Sequence, residues 1–486
     1  MLEHITRMIK RKVKKKSLNI TAAIIIGFLL SCLPAMGEGL EITQETGEDI
    51  LFNGMKYDKT THPFVDNTFE NNVYTNNGKI ELKGETGLWL QIADNFEFEI
   101  YNNNIISATN TQDGAYGVFN WGSSLKRIEN NGIIFGISTY SGETGVGIWN
   151  YSGKIEIVQN IGDLYGKGSN SSIGIWNYGG EIVSIENIGM IFGNGSSYAT
   201  GIYNQSGGVI GKINNFGKIV GVLASESRGI YNTETITDIK NTGIIYGNGN
   251  TGFGIKSNGG VIKNLKNSGI IVGIGNNGEG HGISNYNNYY EGPMEKLENT
   301  GKIMGISVNG FGYGLAVFNP GSEPINPIDN LGMIIGKGGS SGKGFVSESV
   351  NGDNINNFGI IYGDTYAIDT NSTGEPTGSN YGLLLNKTEG ENVINGAIID
   401  NAGSGTPAIK NYGIVFKVKS NGKYDVSYRY TGSEDIDVKM FSNERQMKVK
   451  NAVTSETGSN SFLEKTYENS IINGITDTIL ISGTGK

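Results

Sequence analysis

A seven-residue phrase recurs along this chain and constrains its fold more than any other feature. Asn160-Ile161-Gly162-Asp163-Leu164-Tyr165-Gly166 returns as Asn187-Ile188-Gly189-Met190-Ile191-Phe192-Gly193 and as Asn215-Phe216-Gly217-Lys218-Ile219-Val220-Gly221. Further copies begin at Asn241, Asn267, Asn299, Asn330 and Asn357, so the steps from Asn160 onward are 27, 28, 26, 26, 32, 31 and 27 residues. Earlier copies begin at Asn76, Asn102 and Asn130, and the last clear one begins at Asn411. A repeat of this period marks a solenoid, because one copy cannot bury its apolar face alone whereas a stack of copies can. The 486 residues would otherwise suggest about three globular domains. A solenoid needs no such division, since it grows in one dimension.

Each full copy holds three short strand-like pieces. The first is I-x-x-I-x-N, as in Ile182-Val183-Ser184-Ile185-Glu186-Asn187. The second is G-x-I-aromatic-G, as in Gly243-Ile244-Ile245-Tyr246-Gly247, and the third is G-I-x-N, as in Gly174-Ile175-Trp176-Asn177. Their apolar residues alternate, which is strand spacing. Glycine (76 residues) and asparagine (58 residues) separate the pieces, while proline (8 residues) is scarce. Both abundant types tolerate the positive φ of tight turns. The expected fold is all-β, a right-handed parallel β-helix of about 13 coils of about 27 residues, each rising about 4.8 Å. The asparagines Asn130, Asn160, Asn187, Asn215, Asn241, Asn267, Asn299, Asn330, Asn357 and Asn411 fall at one bend in every coil. They are expected either to form a ladder of side-chain amides or to serve as turn residues of positive φ; both roles are structural.

The first 37 residues differ from the rest. A basic head (Arg7, Lys10, Arg11, Lys12, Lys14, Lys15, Lys16) precedes an apolar run from Ile20 to Leu33 and the small residues of Ala35-Met36-Gly37. This reads as a secretory signal peptide, and the apolar run is short for a membrane span. Alternative readings are an uncleaved anchor and a lipobox, Leu29-Leu30-Ser31-Cys32, with Cys32 lipidated. Residues 1–37 hold 7 basic and 1 acidic side chains, so their removal takes 38 basic and 47 acidic residues to 31 and 46, a net charge of −15. Such a charge argues against nucleic acid or an anionic membrane surface as a partner. Cys32 is the only cysteine, so the cleaved chain relies on packing rather than disulfides. Residues 38–75 read as a cap with the first coils, 76–417 as the β-helix, and 418–486 as degenerate coils that stop in mid-pattern at Lys486.

The long basic signal, the N-x-G-x-I-aromatic-G coils from Asn76 to Asn411 and the cysteine-free remainder resemble a type V autotransporter passenger of the adhesin-like kind found in anaerobic Gram-negative bacteria. The resemblance implies an exported rod at the cell surface or in the medium that binds host or bacterial glycans or proteins. It also implies an outer-membrane β-barrel. The sequence contains no run of alternating segments with aromatic girdles of the barrel kind, so the chain is expected to be the front part of a longer product or to use another anchor.

Candidate chemistry is sparse. His62 and His281 lie in different coils, which disfavours a shared metal site; His281 is expected to be an exposed strand-edge residue. The carboxylates are scattered, as at Asp163, Glu186, Asp238 and Glu298. Only Asp353, Asp364 and Asp369 come close enough to suggest a carbohydrate-active site, the enzyme alternative to a non-enzymatic adhesin. A self-associating surface protein is a third reading. No catalytic residue, metal ligand or cofactor site is assigned. The strongest binding signal is an aromatic series inside G-I-x-N: Phe119, Trp149, Trp176, Tyr203 and Tyr231, spaced 30, 27, 27 and 28 residues apart. If Ile148 and Asn150 face the core, Trp149 faces outward. The series then forms either a contact stripe for sugars or proteins, or a stacked ladder that stabilises the rod.

Overall fold

A computed structural model describes residues 98–286, 294–318, 325–348 and 353–370 continuously, and shorter segments between Asn67 and Val449. The expected signal peptide (1–37) with Cys32, His62, most of the expected cap (38–75) and residues 450–486 lie outside the described residues. Every described residue belongs to one compact unit, Thr43–Thr454. It is all-β: parallel strands stack into a β-solenoid of about nine regular turns, about 28 residues each. Less regular rungs extend it at both ends.

The three strand-like pieces of each copy are three faces of a turn. In one turn they are Lys154–Asn160, Asp163–Lys167 and Ser171–Tyr178; in the next, Glu181–Asn187, Met190–Asn194 and Tyr198–Gln205. The first faces form a sheet of 15 strands, and the second and third faces share a sheet of 24. Lys218–Asn232 and Ile244–Asn258 pass through both of the latter faces as single strands. Register is kept residue by residue: Ile155 pairs with Ile182, Leu164 with Ile191 and Ile175 with Ile202. Stacking identical side chains in register makes the core a set of continuous isoleucine columns. Each fully buried isoleucine contributes roughly 1.5–3 kcal/mol of apolar burial. Ile155, Ile182, Ile210, Ile236 and Ile262, for instance, form an uninterrupted column, each 0% exposed.

The asparagines form a ladder. Asn160 Nδ2 donates to Asn187 Oδ1 at 2.8 Å, and Asn187 Nδ2 to Asn215 Oδ1 at 2.8 Å. The chain of amides runs from Asn76 through Asn102 and Asn130 to Asn357 and Asn380. Asn411 lies in register with Asn380. Each amide also donates to a backbone carbonyl at the start of the second face of the next turn, as Asn187 does to Lys218 O at 3.0 Å. Positive φ is not their role: among the described residues no N-x-G asparagine or glycine has it. The glycine is required by close approach instead. A Cβ on Gly162 would stand 1.9 Å from Gly132 O of the turn below.

Among the described residues, antiparallel pairs flank the parallel stack. Asn67–Glu70 pairs antiparallel with Val73–Asn76, and Tyr424–Tyr428 pairs antiparallel with Ile414–Val418. The latter hairpin covers an edge of Ile414–Val418 that would otherwise template pairing with another chain; most of the degenerate coils expected over 418–486 lie outside the described residues.

Candidate functional site

The third faces bring the aromatic series together. Phe119, Trp149, Trp176, Tyr203 and Tyr231 are direct register partners from strand to strand. Because turns lie about 4.8 Å apart, in-register rings meet face to face. Their centroids are 4.5, 4.7, 6.1 and 4.7 Å apart, with interplanar angles of 21°, 9°, 3° and 23°. Phe119 is buried and the other four are half-buried. The ring faces are therefore spent on one another, and only the edges reach the surface. A flat sugar-stacking platform needs free ring faces, so this column alone does not supply one. Burial in the stack raises the Tyr203 hydroxyl far above its ordinary pKa.

A second aromatic column stands beside the first, two residues further along each strand. Trp121, Tyr151 and Tyr178 are its members, with Tyr151 and Tyr178 stacked 5.2 Å apart at 10°. Trp149 and Trp176 meet Tyr151 and Tyr178 edge to face, at 5.7 and 5.9 Å. Their indole nitrogens are buried without a hydrogen-bond partner.

Immediately after this column the chain turns the corner from the third face to the first, and the corner is an open groove. Gly122, Ser123 and Ser124 line it, with Ser152, Gly153 and Lys154 of the next turn, Gly179, Gly180 and Glu181 of the one after, and then Gly207 and Val209. Gly122, Ser152, Gly179 and Gly207 take positive φ of 67°, 54°, 66° and 84°. This is the left-handed bend the composition predicts, at a different corner from the one marked by N-x-G. Beneath the groove runs a second asparagine ladder that the sequence reading did not assign: Asn120, Asn150, Asn177, Asn204 and Asn232, each 0% exposed. Each of the first four also holds a groove-floor carbonyl: Ser123 O, Gly153 O, Gly180 O and Gly208 O, at 2.9–3.0 Å. A Cβ on Gly153 would stand 2.2 Å from Asn120 Nδ2. The ladder thus braces the floor, and at Gly153 and Gly180 it leaves no room beneath the backbone for a Cβ. Its signal was present in the sequence, since each of these asparagines follows a member of the aromatic series.

Above Tyr231 the aromatic column gives way to charge. The next residue in register is Lys256. Glu226 Oε1 accepts from Arg228 Nε and Lys256 Nζ, each at 2.6 Å. The Arg228 guanidinium lies 4.1 Å from the Tyr231 ring centroid, and Lys256 Nζ lies 4.5 Å from that of Phe253. Burial works to raise the Glu226 pKa, but the hydrogen bonds and charges of Arg228 and Lys256 outweigh it and hold the group below the ordinary value. His281 lies in register with Phe253, in the neighbouring column, with Nε2 2.9 Å from Glu279 Oε2. It is not the exposed edge residue expected: it is 2% exposed, sandwiched between the rings of Phe253 and Tyr313 at 4.8 and 4.7 Å. Burial lowers its pKa despite the Glu279 carboxylate.

The three aspartates that suggested an enzyme do not converge. Asp353 is fully buried and accepts from Ile325 N and Ser347 Oγ at 2.8 and 2.5 Å. Asp364 accepts from Tyr362 Oη and Gly338 N, and buried Asp369 is ion-paired with Lys343. Each carboxylate thus has its own structural partners. Among the described residues no group of three or more His, Cys, Asp or Glu side chains is placed to hold a metal ion. In comparisons with protein-family models, curated proteins and solved structures, nothing matches this chain.

Proposed function

We propose that this chain is the non-enzymatic, adhesin-like passenger of a type V autotransporter, an exported rod that touches host or bacterial surface molecules. The observation that carries the reading is the side where two stacked aromatic columns lie beside an open corner groove whose backbone floor is braced by an asparagine ladder. The signal-like first 37 residues support export, and an outer-membrane barrel beyond this sequence would supply the anchor. The test is an antibody to the repeats, applied to fractionated source cells. The reading expects the antigen at the outer membrane or in the medium. Antigen confined to the cytoplasm, at about the 52.1 kDa of the uncleaved chain, would refute it.

A second reading, a carbohydrate-active enzyme, draws on the cluster of Glu226, Arg228, Lys256, Glu279 and His281, since perturbed groups gather at active sites. Against it, His281 is too buried to reach a polymer, and Glu226 is occupied by two cations. Release of sugar from polysaccharides by the purified chain, abolished by Glu226→Gln, would establish it.

A further inference from the structure

We propose that the glycine-floored groove binds an uncharged linear saccharide lying along the solenoid axis, one sugar unit against each turn. The inference rests on the reading of this side as the contact surface and adds the site and the ligand class. Four features of the groove point the same way.

The first is the floor. Gly153 and Gly180 line the groove with buried backbone, and the asparagine ladder fixes their carbonyls, so a ligand meets a preformed surface and orders little on binding. The second is repetition. The same corner recurs in turns about 4.8 Å apart, a spacing close to the length of a pyranose unit in an extended chain. A polymer of like units matches a site of like turns. The third is charge. Lys154 and Glu181 are the only charged lining residues, and they pair with each other at 3.6 Å while 46% and 48% exposed. The groove is therefore neutral and does not select an acidic polymer. So exposed a pair holds together weakly, and it can open to give a donor and an acceptor to vicinal hydroxyls. The exposed hydroxyls of Ser124 and Ser152 add more of both. The fourth is the rim. Trp121, 43% exposed, and Tyr151 and Tyr178 immediately precede the lining residues Gly122, Ser152 and Gly179 in the chain, which sets apolar rings beside the groove for sugar C–H groups.

The test titrates the purified full chain with cellohexaose and chitohexaose, and with a galacturonate hexamer as the acidic comparator, read by calorimetry and tryptophan fluorescence. At least one neutral hexamer is expected to bind, and the acidic one to bind more weakly. Ser124→Arg, which puts a long side chain into the groove from an exposed position, is expected to weaken binding by about tenfold or more. Lys154→Ala is expected to weaken it by a smaller factor, and Ile188→Ser, on another corner, to leave it unchanged. Failure of both neutral hexamers to bind at millimolar concentration, tighter binding of the acidic hexamer, or indifference to Ser124→Arg would each overturn the proposal. Adhesion to cells that survives Ser124→Arg yet is lost in Tyr151→Ser/Tyr178→Ser would sink the groove while leaving the contact surface standing.

Discussion

Replacing Asn187 by alanine tests the asparagine ladder where it is most regular. Asn187 is 0% exposed; it accepts from Asn160 Nδ2 at 2.8 Å and donates to Asn215 Oδ1 at 2.8 Å and Lys218 O at 3.0 Å. Alanine removes all three bonds. The amide of Asn160 keeps its bond to Met190 O, so that donor is only partly stranded. Asn215 Oδ1 and Lys218 O each lose a donor in a dry interior. At about 1–3 kcal/mol for each buried group left unsatisfied, the cost is about 3–5 kcal/mol. Because a solenoid is stabilised through nearest neighbours, the loss concentrates in the turns on either side. Hydrogen exchange should show Leu164, Ile191 and Ile219 opening far more often, and the urea midpoint should fall. Ile188→Ser is the control, since Ile188 is 54% exposed and its loss should change stability by no more than about 0.5 kcal/mol. A cost below about 1 kcal/mol for Asn187→Ala, or exchange that rises equally in distant turns, would refute the reasoning.

Gly162→Ala should cost at least about 3 kcal/mol or prevent folding, because its Cβ would meet Gly132 O at 1.9 Å and a backbone carbonyl cannot swing aside; thermal melting decides it. The Glu226 pKa is held below its model-peptide value of 4.5, so its contribution is complete above that pH and lost as the pH falls through the lower folded value. Glu226→Gln should cost about 1–3 kcal/mol at pH 7 by stranding Arg228 and Lys256, and it should flatten the acid limb of the stability curve. His281 is displaced the other way for a base: burial lowers it from 6.5, so the unfolded chain takes up its proton first and stability declines as the pH falls below 6.5. His281→Phe keeps a ring between Phe253 and Tyr313 and should melt at nearly the same temperature at pH 7 and pH 5, where the parent chain loses several degrees.

Period, strand alternation and in-register asparagines made the three-faced turn legible, because a solenoid repeats its local physics in every copy. Alternation put Ile148 and Asn150 on one side of the strand and Trp149 on the other, and burial shows that the first side faces the core. Other features depended on what lies one turn away, which a single copy does not reveal. Trp149 points outward as alternation requires, yet its face is covered, because the rise per turn matches the stacking distance of aromatic rings. His281 is buried because Phe253 and Tyr313 lie above and below it. Asn380 escaped notice because Thr377-Gly378-Ser379 before it lack the isoleucines of the pattern, although it continues the ladder from Asn357. The second ladder was not legible because G-I-x-N within one copy does not show that its asparagine amides meet those of the next turn. The groove lies between two faces of the turn, in residues such as Gly153 and Gly180 whose importance is the absence of a side chain.

The most direct test of the central claim compares two sides of one rod. Adhesion of the full chain to epithelial and bacterial cells is measured beside Tyr151→Ser/Tyr178→Ser, on the groove side, and Ile188→Ser/Phe216→Ser, on the exposed N-x-G corner, with unfolding midpoints checked for all three. The account predicts that the first variant loses about tenfold or more in apparent affinity while the second binds like the parent. Loss confined to the second variant, or equal binding by all three, would contradict it.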